Sequence, residues 1–191
     1  MNTSSASFAE THLVSENANK MIKYIVLAVL GSLVLTLAAK TQVMQLPVPI
    51  TLQTLAIFAI SAAFGRKLAV ATLLLYLGQG LVGLPVFAGP VAGPAYMAGG
   101  TAGYLVGFVI AAFIVGWAAD KGWSKNPLKM AGAMLVADVV IFALGFAWLA
   151  TIIGPEKAFL GGVAPFIVAD LIKIALASSL VAALWQFFRK A

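Results

Sequence analysis

Asp170 and Lys173 stand three residues apart inside the apolar run FLGGVAPFIVADLIKIALASSLVAALWQFF, with no other formal charge between Lys157 and Arg189. On a helix that spacing puts both side chains on one face. A charged side chain at the centre of a bilayer costs about 2.5–3.5 kcal/mol on the mildest insertion scales, so two ions there point to a polar ligand recognised within the membrane. Counted from Gly162 at ~1.5 Å per residue, the pair lies roughly 12 and 16 Å below the outer edge of its span. A third acid, Asp138, stands nine residues beyond Lys129, ~13 Å from the inner side and close to the depth of Lys173 in a ~30 Å core. Three roles are open to it: an ion pair between spans that neutralises Lys173, a member of the ligand site, or a protonated acid facing a polar cleft.

Other chemistries are poorly supplied. The chain has no cysteine, which excludes disulfides and thiolate metal sites, and its one histidine is His12. No HExxH or GxSxG occurs, which argues against an intramembrane enzyme. No GxxxxGK[ST] occurs either, so the chain is not itself an ATPase. The lone His12 lies in a polar segment with no second ligand nearby and reads as solvated.

The elements that must position the ions are membrane spans. Hydrophobic residues make up 62% of the chain and charged ones 9%, and the mean hydropathy is +1.04, a balance foreign to a soluble domain of this length. The first 20 residues are polar, carry Glu10 and Glu16, and lack the basic start and apolar stretch of a signal peptide. They read as a retained, loosely ordered cytoplasmic tail, with residues 21–191 forming one membrane domain. Apolar segments fall at Met21 to Ala39, Leu46 to Phe64, Leu68 to Val86, Tyr96 to Ala119, Leu128 to Ile153 and Phe159 to Phe188. Lengths of this kind predict helices, because backbone groups in lipid must be satisfied internally. The expectation is an all-α integral membrane protein with six transmembrane helices and long, partly re-entrant outer loops.

Basic residues orient it, since short cytoplasmic loops are enriched in Lys and Arg. With the N-terminus inside, Lys20, Lys23, Arg66, Lys67, Lys121, Lys125, Lys129, Arg189 and Lys190 fall on the cytoplasmic side, against Lys40 and Lys157 outside. Both termini are then cytoplasmic. The net charge of +6 is a topology signal rather than a mark of nucleic-acid binding.

Pro and Gly concentrate in the outer connections TQVMQLPVPITLQT, GLVGLPVFAGPVAGPAYMAGGTAGY and IIGPEKAFLGGVAP. Pro47 and Pro49 disfavour helix at the residues before them, so regular helix begins near Thr51 or Leu52. That leaves about 20 Å of helix to Phe64, so the non-helical part dips into the membrane. Thr51 and Gln53 lie at its inner end, where Thr51 either caps the helix or meets a ligand. The second connection carries no charge and is long enough to act as a lid. Tyr96 and Tyr104 can both serve as interfacial anchors, a reading that suits Tyr96 better than Tyr104, which follows the compact GGTAGY turn.

PVPITLQT, YLGQGLVGLPVFAG and GGTAGYLVGF, in this order and at these separations, resemble the BioY family, the biotin-specific capture (S) components of energy-coupling-factor vitamin transporters. The motif match runs from Gln42 to Trp117; the rest rests on the six-span layout and the Asp170/Lys173 pair. The resemblance implies a multi-pass protein of the bacterial cytoplasmic membrane, without enzymatic activity or cofactor, that takes biotin from the outer face. It also implies two kinds of partner, a coupling membrane protein and two ATP-binding cassette ATPases. An autonomous carrier of biotin or another small solute, proton-coupled through Asp138, Asp170 and Lys173, is the alternative.

Biotin's chemistry fits the residues. Lys173 supplies a cation for the carboxylate, Gln53 and Asp170 suit the ureido group or hold Lys173, and Phe87 and Tyr104 cover the ring and valeryl chain. Thr51 and Asp138 complete the candidate set. In the first span Ala28, Ser32 and Thr36 form a small-residue row that permits close helix approach. The resemblance makes Ala28, Gly31 and Ser32 a surface for the coupling subunit; packing against neighbouring spans is the other reading.

Overall fold

The computed structural model describes residues 7–9, 20–45 and 47–190. Glu10, His12, Glu16 and Leu46 lie outside the described residues, as do the side chains of Arg189 and Lys190. The long helices are α1 (Lys20–Lys40), α2 (Gln53–Leu81), α4 (Ala102–Asp120), α5 (Pro127–Ile153) and α7 (Ile167–Lys190); α3 (Pro94–Met97) and α6 (Pro155–Gly162) are short. Five helical stretches are long and apolar enough to cross a bilayer.

One of them crosses twice. Gly65 interrupts α2 with φ +75° and ψ 172°, a conformation that favours glycine, and the chain reverses there. A continuous helix would put Gln53 and Tyr76 about 34 Å apart, yet the Gln53 side-chain amide donates from Nε2 to the Tyr76 hydroxyl at 3.0 Å. The arms 53–64 and 66–81 are therefore antiparallel, and the fold has six passes. The turn is fastened by Asp120, whose two carboxylate oxygens each accept from the Arg66 backbone N–H at 3.3 Å.

Three span boundaries are shorter than the apolar segments suggest. The third pass ends at Leu81 and residues 82–86 belong to the outer connection; α4 starts at Ala102, with Tyr96 on the separate α3. The sixth segment is broken by Gly162 and a 3-10 turn at Ala164–Phe166 containing Pro165, so α7 starts only at Ile167. Pro165 lacks an N–H and disfavours helix in the residue before it, which hydropathy does not register. Asp170 therefore lies in the first turn of α7, not ~12 Å down a helix that starts at Gly162. At that position the helix dipole favours its negative charge.

The first outer connection is a two-stranded hairpin, β1 (Gln42–Gln45) and β2 (Pro49–Thr51), with Gln42 opposite Thr51 and an irregularity between Gln42 and Met44. Prolines and β-branched residues dominate it, which favours extended backbone over helix. α2 begins at Gln53, close to the expected start.

The bundle packs α4 between α2 and α5, with α7 against α2 and α5 and α1 along α2. Buried positions on α7 are Asp170, Lys173, Ile174, Ala177, Ser178, Val181, Ala182 and Trp185, a stripe of helical period that carries both ions inward. α5 buries Met130, Ala133, Met134, Ala137, Asp138 and Ile141 in the same way. Most of the large apolar residues of α1 are exposed, as suits a helix in lipid. At one end of the bundle the Phe8 ring packs edge-on to Trp185 at 5.4 Å, and Lys125 lies over the same indole at 4.7 Å. Residues 7–9 are buried, so this part of the polar segment is packed on the bundle rather than standing off as a loose tail.

Candidate substrate-binding site

A cavity opens among the hairpin, α3, α4, α5 and α7, and its wall includes Thr51, Gln53, Thr54, Tyr96, Tyr104, Asp170 and Lys173. Besides the hydroxyls of Tyr96, Thr101 and Tyr104, the polar groups come from the end of β2, the start of α2 and the first turns of α7. Lys173 Nζ donates to Asp170 Oδ1 at 2.5 Å and to Thr54 Oγ1 at 3.1 Å, and Thr54 Oγ1 donates to the same carboxylate oxygen at 3.0 Å. A buried ion is tolerable when it is paired and its hydrogen bonds are satisfied. Lys173 has three N–H groups and two are used here, leaving one donor for a ligand.

The start of α2 contributes an amide and a hydroxyl. Thr51 Oγ1 accepts from the Gln53 backbone N–H and donates to Gln53 Oε1, both at 3.2 Å. Thr51 thus serves the first helical N–H while also bordering the cavity.

The remaining wall is apolar and largely aromatic: Tyr104, Leu105, Phe108, Ile141, Phe142 and Phe166. Tyr104 donates its hydroxyl proton to the Gly162 carbonyl at 2.8 Å, so its polar tip is spent and its ring faces the cavity as a hydrophobe. The ring fits because residue 145 is glycine; a Cβ there would collide with it. Tyr96, on the outer connection, has its phenol pKa raised above the usual range by desolvation, which outweighs the opposing hydrogen bonds with Thr101 and Ala88. The free volume is ≈ 40 Å³, far below the roughly 300–1,000 Å³ of small-molecule sites. Accepting a ligand of vitamin size requires these side chains to move apart.

A match to the BioY family model covers residues 7–190. The chain belongs to the BioY family. Among curated BioY relatives, the probable biotin transporter BioY of Pyrococcus horikoshii is 40% identical over 131 residues, 69% of this chain and 76% of that one. The biotin transporter BioY of Thermotoga maritima is 37% identical over 134 residues, 69% and 78% of the two chains. The crystal structure of the S-component for biotin from an ECF-type ABC transporter has the same fold, with TM-score 0.77, 21% identity and coverage of 90% of this chain and 95% of that one. These BioY relatives are transporters rather than enzymes, and the chain is a multi-pass membrane protein.

In this BioY chain the cavity brings together Thr51, Gln53, Tyr104, Asp170 and Lys173 from the expected set. Two members stand elsewhere. Phe87 is fully buried behind Tyr96, stacked on it at 4.5 Å and edge-on to Tyr76 at 5.5 Å; Tyr96 takes the cavity face that was expected of Phe87. Asp138 lines a lipid-facing groove between α5 and α7 with Leu135, Phe142 and Leu171. Its carboxyl meets that of Asp170, whereas the partner of Lys173 is Asp170. Asp138 Oδ1 and Asp170 Oδ2 are buried with no hydrogen-bond donor among the described residues.

The row on α1 also turns out differently. Gly31 and Ser32 are buried against α2, where a Cβ on Gly31 would meet Thr72 Cγ2 at 2.8 Å and Ser32 donates to Gln79 Oε1. They pack helix on helix, the second of the two readings, while Ala28 is half-buried. The surface that α1 leaves exposed includes Ile22, Ile25, Val26, Val29 and Leu33. Thr54 was missed because one hydroxyl beside Gln53 carries no signal until α7 packs on it. Tyr96 and Phe142 were missed because aromatics at membrane depth are ordinary.

Proposed function

We propose that the chain is the biotin-capturing subunit of a vitamin uptake transporter, taking biotin from the outer face and delivering it inward. The observation that carries this reading is a buried lysine, Lys173, on the wall of a largely apolar cavity whose lining also carries the Gln53 amide and the Thr51 hydroxyl. Biotin matches that layout end for end. Its carboxylate takes the third N–H of Lys173, its ureido group meets Gln53 and Thr51, and its ring and chain lie against Tyr96, Tyr104 and Phe142. Family membership and the biotin transporters among its relatives support the same ligand.

Delivery is assigned to a coupling membrane protein driven by two ATP-binding cassette ATPases, in a bacterial cytoplasmic membrane. The shared fold with an ECF-type S-component and the absence of a nucleotide motif in this sequence support that division of labour over an autonomous, proton-driven carrier. Isothermal titration of the purified protein with biotin tests capture: saturable heat at micromolar ligand is expected, and neither heat nor thermal stabilisation would refute it.

A further inference from the structure

Tyr76 is fully buried on the second arm of α2 and is not on the cavity wall. Its hydroxyl donates to the Val86 carbonyl at 3.0 Å and lies 3.0 Å from the Gln53 side-chain amide. A phenol has one hydrogen, and a backbone carbonyl can only accept. With that hydrogen committed to Val86, the hydroxyl must accept from Gln53, which it can do only from the NH₂ end. The other end of the amide, Oε1, is then turned to Thr51, a residue of the cavity wall.

We propose that Tyr76 is a positioning residue: it fixes the polarity of the Gln53 amide so that the cavity presents the amide oxygen, and so selects ligands that offer an N–H donor. This rests on the biotin reading above, in which the donor is a ureido N–H. The direction of the chain of hydrogen bonds is set from outside the cavity by a carbonyl of the outer connection. The same connection holds Phe87, whose ring fits beneath Tyr96 because residue 80 is glycine. A site without this anchor would let the amide flip and accept a carbonyl equally well, whereas a site that has it leaves the amide oxygen with the Thr51 hydroxyl as its one donor when the ligand brings none.

The test compares biotin with biotin methylated on its ureido nitrogens, titrated into the full chain in nanodiscs. Tyr76→Phe keeps the ring and its edge contact with Phe87. It is expected to weaken biotin on the order of fivefold to tenfold and to shrink the preference for biotin over the methylated ligand. In a Gln53→Ala background, Tyr76→Phe should cause no further loss. Equal losses in both backgrounds, or an unchanged preference, would overturn the inference and leave the biotin reading standing. Should Tyr76→Phe not fold, Gln53→Leu in the presence of native Tyr76 reads the same polarity: its loss must fall on biotin and spare the methylated ligand, and equal losses overturn the proposal. A wild-type protein that binds neither ligand overturns the biotin reading and this inference with it.

Discussion

Phe87 and Tyr96 lie face to face, ring centroids 4.5 Å apart and 15° from parallel, and of the two it is Tyr96 that borders the cavity. The pair divides its work between support and contact. Tyr96→Ala should weaken biotin by about tenfold or more with a modest change in melting temperature. Phe87→Ala empties a fully buried site and should cost on the order of 3 kcal/mol of stability. Calorimetry and thermal unfolding on both variants separate the two effects; the reverse pattern would return Phe87 to the ligand.

Lys173→Ala should weaken biotin roughly 10- to 100-fold, the worth of a charge-assisted hydrogen bond. Biotin amide, which has no carboxylate, should lose much less. Parallel titrations of the two ligands check this, and equal losses would show that Lys173 serves only Asp170 and Thr54.

Thr54→Val removes the hydroxyl that ties both ions of α7 to α2 with little change in volume. It leaves Lys173 with one protein partner, so stability should fall by about 1–3 kcal/mol. A melting curve unchanged from wild type would mean that the Asp170–Lys173 pair is held by α7 alone.

Asp138→Asn replaces one of two neighbouring acids, each with a buried oxygen that has no hydrogen-bond partner among the described residues, by an amide that can donate. Stability should hold or rise, with biotin affinity within about threefold of wild type because Asp138 is off the cavity wall. Thermal unfolding and calorimetry read this directly. A loss of binding beyond tenfold would restore Asp138 to the ligand site.

On the first helix, Gly31→Ala should destabilise the protein, because its new methyl meets Thr72. Val29→Trp, on the exposed face, should leave binding intact and lower ATP-driven uptake in vesicles containing the coupling partners. Unchanged uptake would remove that face from the interface.

The six passes were legible because lipid imposes a length and an apolar composition that hydropathy reads directly. Gly65, Arg66 and Lys67 between two apolar runs marked the hairpin that Gln53 and Tyr76 then close. The intramembrane ions stood out because charge there is rare. Less legible was the break at residues 163–166, which is as apolar as the helices around it. The layering of Phe87 behind Tyr96, and of Asp138 behind Asp170, was hidden for another reason. Which of two suitable side chains faces a cavity depends on how helices rotate against one another, and that is settled by contacts such as Gly145 against Tyr104.

The Asp170–Lys173 pair lies wholly within one helix, at i and i+3, and this bears on biogenesis. Because each charge brings its own counter-ion on the next turn, α7 partitions into lipid as a segment whose two ions already cancel. Splitting the pair between helices would have required two separately charged segments to insert and then find each other. The site's cation thus enters the outer part of the membrane already paired with its own neighbour.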